Sequence, residues 1–270
     1  MSLSFKISTG FLIIIFLLAI LAPWVAPYSY KTQDTLNILS FPGSEHWLGT
    51  DRLGRDLLSR MIYGARVSLF VGVFSTMLAL VIGTIYGTIS AYVGGRTDSL
   101  MMRIVDVVFA LPDLLMIILI TVLMGHGITG VFIALTIVSW VTIARLVRGE
   151  VLRIKEYPFI QAAKALGASH YRIMLREIFP NILGVLVVTL SFRIPVAILA
   201  ESTLSFIGLG IAPPASSWGT LASDGWTAIK FYPHLILFPS LAIFFTILSF
   251  NFLGEGLREY LDPRSQISSG

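Results

Sequence analysis

Long apolar runs dominate this chain, and short polar joints separate them. Six runs read as candidate membrane spans, at residues 11–25, 67–91, 105–124, 131–147, 182–200 and 235–253. Each approaches the roughly 20 apolar residues that cross a bilayer as a helix. Lipid offers no partner for a free backbone N–H or C=O, so each run is expected to be helical. The pattern predicts an all-α integral membrane protein, one domain over residues 1–270. It has six transmembrane helices, a long loop at 26–66 and a polar loop at 148–181. The first run also fits a cleavable signal peptide with Lys6 as its basic start. Against this, Pro23 and Pro27 follow the small residues at which cleavage would occur.

Composition agrees with the pattern. The apolar share is 56% and the charged share 13%, against roughly 45–50% and 25% in soluble domains. Cysteine is absent, which removes disulfides and thiolate metal sites. The net charge of +4 says less than its distribution, because Lys and Arg retained in cytoplasmic segments set the orientation. With the N-terminus inside, the inner segments hold Lys6, Arg96, Arg103, seven residues from Arg145 to Arg176, Arg258 and Arg264, twelve in all. Six lie outside, five of them in the single loop between the first two runs, and Arg193 falls within a run. Both termini and the 148–181 loop are therefore predicted to be cytoplasmic.

Within the second run, Gly83, Gly87 and Ala91 recur every four residues. Such spacing lets helix backbones approach closely, and it fits either an internal contact or a subunit interface.

The polar loop contains RIKEYPFIQAAKALGASHYRIMLREIFPN, residues 153–181. Pro158 suits the first turn of a helix, where its missing N–H costs nothing. Phe159, Ala162, Ala163 and Leu166 recur at helical spacing, which puts Gln161 and Lys164 elsewhere. Gly167 is a candidate stop, and Ser169 a candidate cap for a second helix. Phe179-Pro180-Asn181 is expected to end that second helix. Such a short amphipathic helix can lie on an anionic membrane surface. It can equally fill a groove on a partner protein.

Gln161-Ala162-Ala163, then Gly167, then Glu177-Ile178-Phe179-Pro180 resembles the EAA loop of ABC importer permeases, with Gln161 where the pattern has Glu. LGTDRLGRDLLSRMIYGARVSL, residues 48–69, resembles the outer-loop signature of the second permease subunit in the dipeptide, oligopeptide and nickel importer family, at every fixed position. SFIGLGIAPPASSWG, 205–219, and NFLGEGLREYLDPR, 251–264, resemble two further stretches of that family. The resemblance implies an ABC importer permease fold with a cytoplasmic coupling helix. It implies that Pro158, Phe159, Gln161, Ala162, Ala163 and Gly167 meet a cytoplasmic ATPase. The implied partners are a homologous second permease, two ATPase subunits that carry ATP and Mg, and an extracytoplasmic binding protein. The implied location is the bacterial inner membrane, and the implied cargo is short peptides, with nickel or a metal chelate as the alternative. Nothing in the sequence suggests a nucleic-acid partner.

The outer loop also reads on its own terms. Leu53, Leu57, Leu58, Met61 and Ile62 form a helical stripe, with Asp51–Arg55 and Asp56–Arg60 as i,i+4 pairs opposite. An interfacial helix that stops at Gly64 is expected. It serves as a cuff around the bundle, as a receiver for a binding protein, or as both.

Arg193 and Glu201 fall in the fifth run, where ionisable groups are costly and face a bundle interior or water. Eight residues of helix leave them about 80° apart around the axis, too far for a direct pair but open to a shared cavity. Both are candidates for the translocation pathway, and a structural ion pair to a partner subunit is the competing role for Arg193. Asp113 follows Pro112 and is expected at a kink or water-filled break.

No lysine here follows a glycine, so no phosphate cradle of the GK type is present. ATP hydrolysis is expected on another chain, and this chain is read as no enzyme, binding no cofactor and no metal. His46, His126, His170 and His234 are scattered, without an H-E-x-x-H arrangement. A self-sufficient secondary transporter would be favoured by inverted repeats and paired broken helices, and the sequence shows no clear repeat.

Overall fold

The computed structural model describes residues 3–261, which are helical throughout apart from loops and one isolated β-bridge, Thr50–Asp56. Nine helices carry the architecture. They are α1 (Leu3–Ile20), α2 (Leu57–Val93), α3 (Gly95–Phe109), α4 (Asp113–Met124), α5 (Ile128–Ile154), α6 (Pro158–Ala165), α7 (His170–Phe206), α8 (Trp218–Trp226) and α9 (His234–Leu261). Five of these, α1, α2, α5, α7 and α9, are long and apolar enough to cross a membrane. A sixth span results if α3 and α4, which meet at 85°, count as one broken crossing.

That bend divides the run expected as one span over 105–124, at the kink or break expected beside Asp113. Pro112 is the cause, since it has no N–H for the ladder and pushes Leu111 out of helical geometry. Pro112 itself is extended, at φ −60° and ψ 123°. The first span is divided too. α1 stops at Ile20, and a separate turn, Ala22–Val25, begins with Pro23 in its first positions.

α2 is the central element, and it packs along α5 more extensively than any other pair of helices pack. The small residues explain the closeness. A Cβ on Gly83 would lie 2.8 Å from the Trp140 carbonyl oxygen, and one on Gly87 would run into the Ala144 carbonyl. The Gly83/Gly87/Ala91 stripe is therefore an internal helix contact. Against the remaining faces of α2 lie α7, α1 and α8, while α9 packs on α7, α8 and α1.

The expected stop at Gly64 does not occur, and α2 runs unbroken from Leu57 to Val93. Gly64 has no positive φ. Its lack of a side chain admits α8 instead, since a Cβ there would sit 3.3–3.4 Å from Ser217 and Trp218. The helix expected to end at Pro180 also continues. A π-helical stretch at Ile173–Ile178 immediately precedes Phe179-Pro180 and widens the turn where the proline removes a donor. Residues 262–264 of the tail motif, Arg264 included, lie outside the described residues.

Candidate functional site

α6 is a two-turn helix held rigidly at both ends. Tyr157 is extended, at φ −68° and ψ 146°, as a residue before proline must be, and Pro158 occupies the first turn. At the other end Gly167 takes φ +78°. Gly167 N–H donates to Lys164 O and Ala168 N–H to Ala163 O, both at 3.0 Å, the paired bonds of a Schellman stop. Ser169 then caps the next helix by accepting from Arg172 N–H.

The side chains of α6 divide in a way the sequence stripe did not reveal. Ile160 is 0% exposed and enters a cluster with Val151, Ile154, Ile173 and Ile178, with Ala163 half-buried beside it. Phe159 remains 40% exposed and Leu166 88%, and Ala162 is exposed as well. One isoleucine therefore anchors the helix while an apolar ridge stays uncovered. Gln161 donates its amide to Lys155 O at 3.0 Å.

Polar contacts link this corner to the bundle. Lys155 Nζ donates to Ala91 O at 3.1 Å, and Arg148 makes a bidentate pair with Asp98 at 2.6 Å. Asp98 also accepts from Ser90 Oγ at 2.5 Å. The ends of α2, α3 and α5 are thereby tied together. Sequence reasoning missed this knot, because the contacts that close it, Arg148–Asp98 and Lys155–Ala91, join residues 50 and 64 positions apart.

At the opposite end, the 48–60 stretch builds a charged loop. Asp51 accepts from Arg55 Nε at 2.7 Å and from Arg60 Nη1 at 2.5 Å, and Arg60 also reaches Asp224 at 3.3 Å. The expected Asp51–Arg55 pair forms. The expected Asp56–Arg60 pair does not, because Asp56 caps α2 through Ser59 N–H and faces His46 at 2.9 Å. A cavity of about 600 Å³ lies between this loop and residues 208–225. The Pro213–Pro214 bond in that second segment is cis.

Inside the bundle, Arg193 and Glu201 part company. Glu201 is 0% exposed and accepts from Ser205 Oγ at 2.7 Å and Ser68 Oγ at 3.3 Å. Ser68 Oγ in turn accepts from Trp218 N–H at 3.2 Å. Glu201 thus helps join α2, α7 and α8. Arg193 lines two other cavities, one of them with Asp113, and Glu201 lines neither. Asp113 is the first residue of α4, directly after the break, where it was expected. Among the described residues no group of three or more His, Asp or Glu side chains is placed to hold a metal ion.

Residues 79–267 match the family described as the binding-protein-dependent transport system inner membrane component. The chain belongs to that family of transport permeases. Residues 4–42 match the N-terminal TM domain of oligopeptide transport permease C. The oligopeptide transport system permease protein OppC of Bacillus subtilis is 45% identical over 94% of this chain and 83% of its own length. The dipeptide permease DppC of the same organism is 45% identical over 94% and 79%. The glutathione permease GsiD of Escherichia coli O157:H7 is 43% identical over 94% and 84%. An inward-facing MetNI methionine ABC transporter shares the fold at a TM-score of 0.63 and 18% identity, over 76% of this chain and 96% of that one. The chain is therefore a multi-pass membrane permease of a binding-protein-dependent transport system.

Proposed function

We propose that this chain and a second permease subunit form the passage of an ATP-driven importer of short peptides, and that α6 receives the motion of a cytoplasmic ATPase. The observation that carries the coupling role is the uncovered ridge of Phe159, Ala162 and Leu166 on a helix fixed by Ile160 and the Gly167 stop. An amphipathic helix laid into a groove is a common docking mode. A rigid one transmits displacement instead of absorbing it. The peptide reading is supported by relatives named for oligopeptide, dipeptide and glutathione transport.

In this reading α6 and both termini face the cytoplasm, and the Asp51–Arg60 loop faces an extracytoplasmic binding protein. ATP and Mg are bound by two partner ATPases, so this chain catalyses nothing itself. ATP favours the closed ATPase pair and so biases the bundle toward the outward-open arrangement. The Lys155–Ala91 and Arg148–Asp98 contacts carry the displacement of α6 into α2, α3 and α5. Arg193 lines the passage, while Glu201 holds the helices together.

The test is a mild-detergent pull-down of the tagged chain with mass spectrometry and an ATPase assay, beside a variant carrying Ala162→Asp and Gly167→Asp. Recovery of a second permease and ATPases with the native chain, and loss of the ATPases alone from the variant, is the expected result. A native chain that purifies alone and still transports would sink the proposal and favour a secondary transporter.

A further inference from the structure

Asp113, which is exposed, and Arg193, which is half-buried, line a common cavity between α4, α5 and α7. They line a space of about 150 Å³ with Ser139 and Thr142, on walls otherwise made of apolar residues such as Ile117 and Val138. Arg193 also lines a second cavity, of about 410 Å³, whose other charged lining residue is Arg258. Arg193 is thus a wall shared by both spaces. No side-chain hydrogen bond and no ion pair within 4.0 Å joins Asp113 or Arg193 to another described residue, and their opposite charges attract each other only across the cavity. Glu201, two turns along α7 from Arg193, shows the contrasting case of a carboxyl group fully occupied by hydroxyl donors. An ionisable side chain without a partner is costly inside a membrane bundle and usually marks a transport path.

We infer that Asp113 and Arg193 form a station that reads the two ends of a zwitterionic peptide during passage. Asp113 takes the ammonium end, and Arg193 takes the carboxylate and hands it on toward Arg258. This inference rests on the peptide-import reading above. A carboxylate matches the planar fork of a guanidinium. An anionic lipid headgroup would satisfy Arg193 but would be repelled by Asp113, whereas a zwitterion satisfies both. An extended chain advances about 3.3–3.6 Å per residue, so the shortest peptides place both ends near one small cavity and longer ones extend into the larger.

The whole importer, with its second permease, ATPases and binding protein, is reconstituted in phosphatidylcholine vesicles with and without phosphatidylglycerol. ATP-driven uptake is measured for a tripeptide, its C-terminal amide and its N-acetyl form, each presented on saturated binding protein. The native complex prefers the free carboxylate over the amide. Arg193→Met shrinks that preference by about tenfold or more, while Arg193→Lys retains part of it. Asp113→Asn shrinks the preference for the free amine. Both effects are the same with and without phosphatidylglycerol. Equal losses on all three peptides, failure of the Arg193→Met complex to assemble, or an effect that vanishes without phosphatidylglycerol would overturn the station alone. A native complex that imports none of the peptides would overturn the peptide-import reading and the station with it.

Discussion

Gln161 donates its side-chain amide to the backbone carbonyl of Lys155 at 3.0 Å, fastening the start of α6 to the end of α5. A glutamate, the residue of the related EAA pattern, has no N–H to offer there. Ionised, it would bring negative charge toward carbonyls at a helix C-terminus, where the dipole disfavours it. Gln161→Glu should therefore loosen α6 by about 1 kcal/mol or less, since the contact is exposed. Amide hydrogen exchange at residues 159–166 is expected to quicken by up to about fivefold. Unchanged exchange would show that the bond contributes nothing.

Leu166 separates docking from stability. It is 88% exposed, so Leu166→Ser should change the thermal stability of the isolated chain by about 0.5 kcal/mol or less. Substrate-stimulated ATPase activity of the complex should nevertheless fall several-fold, because an apolar anchor leaves the docking groove. Equal ATPase activity in the variant would remove Leu166 from the interface.

Gly87 tests the α2–α5 contact. A methyl group there meets the backbone of Ala144 and Arg148, which cannot rotate away, so Gly87→Ala should cost about 1–3 kcal/mol. Gly149→Ala is the matched control, with open space around it on the same α5 helix. It should be neutral or slightly stabilising. Thermal unfolding of the two variants in one detergent checks the contrast.

Asp51 neutralises two buried arginines at once, Arg55 and Arg60, the latter 3% exposed. Asp51→Asn keeps the shape but leaves those cations short of an anion. A loss of about 3 kcal/mol is expected. Limited proteolysis of the 29–56 loop should accelerate accordingly, and resistance equal to the native protein would contradict the pairing.

Glu201→Ala should cost about 2 kcal/mol or more by leaving the hydroxyls of Ser68 and Ser205 without an acceptor. The double change with Ser205→Ala should cost less than the two single changes combined. Additive losses, measured by unfolding in detergent, would show that the carboxyl and Ser205 do not communicate.

Pattern and local chemistry in the sequence determined much of this protein. Apolar runs too long for a soluble core could only become helices in lipid, because no other local structure satisfies their backbone. Pro158, Gly167 and Ser169 marked the start, stop and next cap of α6 by rules that act within a few residues. What the sequence missed lay at longer range. Gly64 reads as a stop along the chain, but α8 approaches α2 there, and the glycine serves that contact. Pro180 reads as a terminator, but a π-helical turn absorbs it. Asp56 and Arg60 have the spacing of a pair, yet each meets a partner elsewhere, Asp56 at His46 and Arg60 at Asp51 and Asp224. Only the packed structure separated Glu201, enclosed by hydroxyls from neighbouring helices, from Arg193, left facing Asp113 across a cavity. The reason is physical. Helix formation is decided by groups three to five residues apart, whereas the partner of a buried charge is decided by which helices pack beside it.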